Sequence, residues 1–291
     1  MISRKFIIWA CGLLFVFSSC AEDMVKPIEN DKDAPGTVQD VKTESLPGAV
    51  KFTYTLPSDP DLLYVLAKYT NKTGKVMEFR SSFYTNSVTV EGFGDTDTYK
   101  VELYTVDRSE NRSQPQIVEV APLTPPILSC YESLSVVSDF GGMTFEMDNK
   151  FKSDLAIYVC TPDELGDMVL AETFYSAREE IVYSVRGYDA VPRRFGIFLQ
   201  DKYGNETDTL FTELTPIYER ELDKTKFREM YLQNDSRVDS YDGKMEYVWN
   251  GRISKDGDSG GVGLHTGTGT KDGPAVFTFD LGVLAKLSRF A

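Results

Sequence analysis

The side chains that most enzyme chemistry needs are scarce in this chain. His265 is the only histidine in 291 residues, so a Ser-His-Asp or Cys-His nucleophilic site would have to use it. The same count excludes metal sites built from several histidines. His265 stands in a stretch from Asn250 to Gly273 rich in Gly, Asp, Ser and Thr, a poor platform for a catalytic base. In the same stretch Asp256-x-Asp258 has the spacing of part of a calcium loop. Gly260 then stands where another oxygen ligand belongs, which favours a solvated turn. Gly261-x-Gly263-x-x-x-Gly267 lacks the dinucleotide spacing, and no βαβ pattern surrounds it. Acidic residues are abundant, yet no carboxylate pair is singled out by spacing for glycoside hydrolysis. Trp249 could stack on a sugar ring, although a core Trp at a strand end is the commoner use. The expectation is a protein that is not an enzyme and holds no metal or cofactor.

Chemistry of another kind is written at the N-terminus. Arg4 and Lys5 precede an apolar run from Phe6 to Phe17, followed by Ser18, Ser19 and Cys20. That run is about 12 residues, short of the roughly 20 that span a bilayer, so residues 1–19 read as a cleavable export signal. Ser18-Ser19-Cys20 resembles the bacterial lipobox, whose cysteine is acylated and becomes the new N-terminus. The resemblance implies lipidation at Cys20 and attachment to the outer membrane. Glu22 and Asp23 resemble surface-export signals, and Ala21 is not the aspartate of inner-membrane retention, so the exterior face is expected. Cys11 leaves with the signal. Cys130 and Cys160 then remain, either as a disulfide, which an exported setting permits, or as two buried free thiols. Loss of Arg4 and Lys5 with the signal takes the formal net charge from −14 to −16, a field that disfavours nucleic acid as a partner.

The remaining sequence repeats itself. Gly48-Ala-Val-Lys-Phe52 answers to Gly141-Gly-Met-Thr-Phe145, Leu63-Tyr64-Val65 to Ile157-Tyr158-Val159, and Gly74 with Phe83-Tyr84 to Gly166 with Phe174-Tyr175. Gly92-Phe93 answers to Gly187-Tyr188, and Asp107-x-x-x-Asn111-x-Ser113 to Asp201-x-x-x-Asn205-x-Thr207. Five matches in order mark a duplicated module. Each copy has period-two alternation: Val50, Phe52 and Tyr54; Tyr99, Val101 and Leu103; Phe195, Ile197 and Leu199. The Asp-x-x-x-Asn ending supplies turn residues, a reading preferred to glycosylation at Asn111 and Asn205. Prolines at 125–126 and 216 close the copies. A short helix is expected at Thr161-Pro-Asp-Glu, with Thr161 as cap and Pro162 at the first position.

The run from Tyr99 to Ser113 resembles the last hairpin of fibronectin type III modules, and Pro35-Gly-x-Val38 with Phe52 to Pro57 resembles their opening strands. Both copies are similar to the paired fibronectin-like domains of Bacteroidetes lipoproteins encoded beside polysaccharide-uptake systems. The fold expected is all-β: two tandem fibronectin type III-like sandwiches, residues 35–125 and 126–218, behind a tether at 20–34, and a partial C-terminal jelly roll at 219–291. In that last segment a helix is expected within 223–232 and strands at 245–249 and 275–279. Its order Trp249-Asn-Gly251, polar loop, Phe277-Thr-Phe-Asp-Leu-Gly282 resembles discoidin-like, galactose-binding-type domains, which implies carbohydrate contacts at Trp249, Arg252 and His265. The match covers only part of a sandwich, leaving Phe277, Phe279 and Phe290 short of packing partners. The resemblance implies a non-catalytic accessory lipoprotein that binds or presents glycan; the residues alone leave a carboxylate-dependent glycan-degrading enzyme, or a structural spacer or adhesion lipoprotein, as alternatives. The partners that the resemblance implies are an outer-membrane porin and that porin's glycan-binding lipoprotein.

Overall fold

The computed structural model describes residues 32–238, 243–252 and 275–289. The first copy supplies seven strands: β1 (Gln39–Leu46), β2 (Ala49–Thr55), β3 (Leu62–Thr70), β4 (Val76–Ser82), β5 (Ser87–Glu91), β6 (Tyr99–Asp107) and β7 (Gln116–Val120). They form a three-stranded sheet, β1-β2-β5, and a four-stranded sheet, β4-β3-β6-β7, antiparallel throughout. The second copy repeats this with β8 (Ser135–Asp139), β9 (Gly142–Asp148), β10 (Leu155–Pro162), β11 (Met168–Ser176), β12 (Glu180–Arg186), β13 (Arg193–Asp201) and β14 (Leu210–Leu214). Its sheets are β8-β9-β12 and β11-β10-β13-β14. Two sheets face to face around one core are the sandwich solution to strands with one apolar face. The all-β expectation is borne out.

The alternation read in sequence selects the core. Val50, Phe52 and Tyr54 are buried while Lys51, Thr53 and Thr55 are exposed. Phe195, Ile197 and Leu199 are fully buried in the second core beside Phe145. Phe52 and Phe145 occupy equivalent places, each on the middle strand of its three-stranded sheet and wholly buried. The Asp-x-x-x-Asn turns coincide bond for bond. Asp107 Oδ1 accepts from the backbone of Ser109 and Asn111, and Asp201 Oδ1 from that of Tyr203 and Asn205, all at 2.8–3.0 Å. Each asparagine Nδ2 donates to the other carboxylate oxygen, at 2.9 and 2.8 Å.

Several sequence expectations are corrected. The matches of Leu63–Val65 with Ile157–Val159, and of Phe83-Tyr84 with Phe174-Tyr175, are two residues out of register. Val65 pairs with Thr105 and Ser81, and its structural counterpart Ile157 pairs with Leu199 and Phe174. A slip of two keeps every side chain on its face, so the apolar pattern cannot detect it. Thr161-Pro-Asp-Glu is not a helix. Thr161 continues the inward row of Leu155, Ile157 and Val159, and its hydroxyl donates to the Arg194 carbonyl at 3.0 Å. Asp163 instead closes the β10–β11 turn, accepting from the backbone of Leu165 and Asp167. The helix α1 lies at Pro126–Glu132, with Pro126 in its first turn and Ile127 and Cys130 buried in the second core.

In the segment after 218, the helix expected within 223–232 is a 3-10 turn at Lys224–Lys226 followed by β15 (Arg228–Met230). The strand expected at 245–249 is a 3-10 turn, Met245–Val248. β16 (Thr278–Asp280) pairs antiparallel with β15, the one sheet of this segment among the described residues. Phe277 and Phe279 are not short of partners: Phe279 packs on Phe227 at 5.7 Å and Trp249 at 5.1 Å, and Phe277 on Phe279 at 6.4 Å. Phe290 lies outside the described residues. The segment meets the second sandwich through Glu219, which takes a hydrogen bond from Ser288 and an ion pair from Arg186 at 3.5 Å.

Candidate functional site

The two sandwiches meet at a joint built from the second copy's Asp-x-x-x-Asn turn. Asp201 holds that turn, which places Tyr203 and Asn205 against the loop after β5. Tyr203 Oη donates to Glu91, and Asn205 Nδ2 donates to the Gly92 carbonyl at 3.1 Å. The Tyr203 hydroxyl is pushed above its ordinary pKa, first by burial and then by the Glu91 carboxylate. Gly92 has φ +84°, and a Cβ there would lie 2.8 Å from the Tyr203 ring. Here glycine serves both the left-handed backbone and the close approach of the ring. At the other side of the joint a Cβ on Gly48 would meet Pro125 and Pro126.

Beside this joint lies an open cleft of about 830 Å³. The first sandwich contributes Thr73 and Lys75 from the β3–β4 turn, and the second contributes residues of β10, β11 and β13 together with Lys202 and Tyr203. The turn bearing Thr73 and Lys75 is fixed by Asn71, whose Oδ1 accepts from the Lys75 backbone at 2.9 Å and from the Thr73 hydroxyl at 2.8 Å. Tyr158 stacks on Phe198 at 4.7 Å and 11°, and its hydroxyl donates to Gln200 Oε1 at 3.2 Å. Gln200 Nε2 donates in turn to Glu206 at 2.7 Å. Tyr175 stands at the rim, 74% exposed. Aromatic faces with a few convergent polar groups at a domain boundary are the usual make-up of a ligand site.

Trp249 and Arg252, singled out in sequence, do not line this cleft. Trp249 is half-buried, with Phe227 at 5.6 Å and Phe279 at 5.1 Å, and so serves as a core residue of its segment. Arg252 is exposed, its backbone N–H donating to Asn250 Oδ1 at 2.8 Å. Cys20 and His265 lie outside the described residues, as do the signal at 1–19, most of the tether, and Asp256 to Gly267. Cys130 and Cys160 are free thiols, Cys130 buried and Cys160 half-buried. Burial pushes the Cys130 thiol up to about 11 and raises that of Cys160, so both are poor nucleophiles at neutral pH. Among the described residues there is no cluster of metal-ligating side chains, and no helix is long and apolar enough to cross a membrane. Sequence reading missed the cleft. Its available signal was the contrast between the two copies, once they are aligned in the correct register.

Residues 35–122 match the family model described as domain of unknown function (DUF4959), and residues 123–225 that described as domain of unknown function (DUF5126). No curated protein matches. Among solved structures, a SusE-like protein is 30% identical over 56% of this chain, with a TM-score of 0.35. The match spans 57% of that protein, little more than half its length. A two-domain fibronectin type III segment of chicken tenascin is 12% identical over 62% of this chain and 99% of its own, with a TM-score of 0.30. The FN5 domain of Drosophila Lar is 21% identical over 32% of this chain and 98% of its own, with a TM-score of 0.24. The duplicated sandwiches thus match two different families in tandem.

Proposed function

We propose that this chain is an outer-membrane accessory lipoprotein that binds or presents glycan for a polysaccharide-uptake system, without cutting it. The observation that carries this reading is the cleft at the joint, where the aromatic faces of Tyr158, Tyr175 and Tyr203 converge with Gln200 and two lysines and two aspartates, with no nucleophile–base constellation among them. The lipobox-like Ser18-Ser19-Cys20 supports the anchor, since acylation at such a cysteine supplies the two or more chains that stable attachment needs. An outer-membrane porin and its glycan-binding lipoprotein are the partners this reading supplies.

The anchor is tested by metabolic labelling with an alkyne fatty acid. Wild-type protein is expected to take the label and Cys20→Ala to take none; equal labelling overturns the anchor. Protease shaving of intact cells is expected to remove the protein, and full protection would place it on the periplasmic face.

A further inference from the structure

The outer faces of the two four-stranded sheets differ where their ladders coincide. In the first copy a row across three strands reads Ser82, Tyr64, Val106. The Tyr64 ring fills the middle of that row: Arg80 lies over it at 5.0 Å and its hydroxyl donates to Glu110 at 3.0 Å. Tyr64, Leu66 and Val106 are accordingly buried. The equivalent row in the second copy reads Tyr175, Ala156, Gln200. The large ring has moved from the centre to the edge strand, and a methyl group stands where the first copy has a tyrosine. The result is a trough with Ala156 as floor, Tyr175 and Gln200 as sides and Tyr158 as end wall, open toward Lys75 of the first sandwich.

We infer that this trough is a sugar-binding site that takes a pyranose ring of a neutral glycan. The inference rests on the glycan-binding reading above and names its site. A tyrosine face offers an apolar platform to the C–H face of a sugar ring. Gln200 and Asp154 offer acceptors and Lys75 a donor for its hydroxyls. Cross-strand neighbours are about 4.5–5.5 Å apart and diagonal ones about 7–8 Å, so emptying the central position leaves room for one ring between Tyr175 and Gln200. Charge selects against acidic glycans. The lining carries Lys75 and Lys202 against Asp154 and Asp201, so it is close to neutral within a chain of net charge −14. A polyuronate gains nothing locally and is repelled by the whole.

Affinity electrophoresis of the mature protein in native gels containing amylopectin, dextran, galactan, arabinoxylan, galactomannan or polygalacturonate tests this. Retardation by at least one neutral polysaccharide and none by polygalacturonate is expected. Ala156→Tyr, which installs the first copy's residue, and Tyr175→Ser, likewise, are expected to weaken it at least tenfold without moving the melting temperature. Tyr84→Ala, which removes an 84% exposed tyrosine of the first copy, is the control and is expected to bind as wild type. Retardation that survives both trough substitutions overturns the site while leaving glycan binding intact. A wild type retarded by no polysaccharide overturns both, and retardation by polygalacturonate alone overturns the charge argument and the proposal with it.

Discussion

Phe145→Ala is expected to destabilise the second sandwich by about 3–5 kcal/mol, and Phe52→Ala the first by a similar or slightly smaller amount. Both rings are fully buried at the same place in the two copies, so the loss of apolar transfer and the cavity left behind are alike. Phe145 also meets Phe174 at 5.5 Å and Tyr183 at 6.0 Å, whereas the ladder neighbours of Phe52 are Thr43 and Val88. Aromatic pairs add about 0.5–1.5 kcal/mol beyond burial, which puts Phe145 at the upper end. Urea unfolding followed by hydrogen exchange assigns each loss to its sandwich. A cost below about 1 kcal/mol at either position would show that the copies do not share a core plan.

Gly92→Ala and Gly187→Ala form the second comparison. The two glycines are equivalent, with φ +84° and +101°, and each is followed by an N–H that donates to the carbonyl of the copy's earlier glycine, Gly48 or Gly141. Alanine is strained in that conformation, at a cost of about 1–3 kcal/mol in either copy. Only at Gly92 does the new Cβ collide, 2.8–2.9 Å from the Tyr203 ring; at Gly187 it meets nothing. Gly92→Ala is therefore expected to cost about 1–3 kcal/mol more and to loosen the joint, read as a larger radius of gyration in small-angle scattering. Tyr203→Ala in the Gly92→Ala background should recover much of the excess, because residues in contact are not additive. Equal effects of the two alanines, with no rescue, would mean that the Tyr203 contact does not hold the joint.

These comparisons show which parts of the structure were legible in the sequence. Strand alternation identified both cores because burial enforces it residue by residue, as in Val50, Phe52 and Tyr54. The two-residue slip in β3 and β10 was invisible because a period of two is blind to it. Thr161-Pro-Asp-Glu carries a helix-start pattern, but the inward row ending in Thr161 prevailed: tertiary burial overrides a weak local preference. The helix at Pro126–Glu132 starts on the same Pro125-Pro126 pair that closes the first copy, and a proline pair marks a chain break and a helix start equally well. The joint was not legible at all, since Tyr203 and Glu91 are 112 residues apart. Nor was the trough, which exists only where three strands and a turn of the neighbouring sandwich converge.

The proposed function has this chain hold glycan without cutting it. Incubating the mature protein with insoluble forms of the neutral polysaccharides, and measuring both the protein pelleted and the reducing ends released, tests both halves in one assay. Depletion of protein from the supernatant with reducing ends at the level of the protein-free control is the predicted result. A rise in reducing ends, or protein left wholly in the supernatant by every polysaccharide, would contradict it.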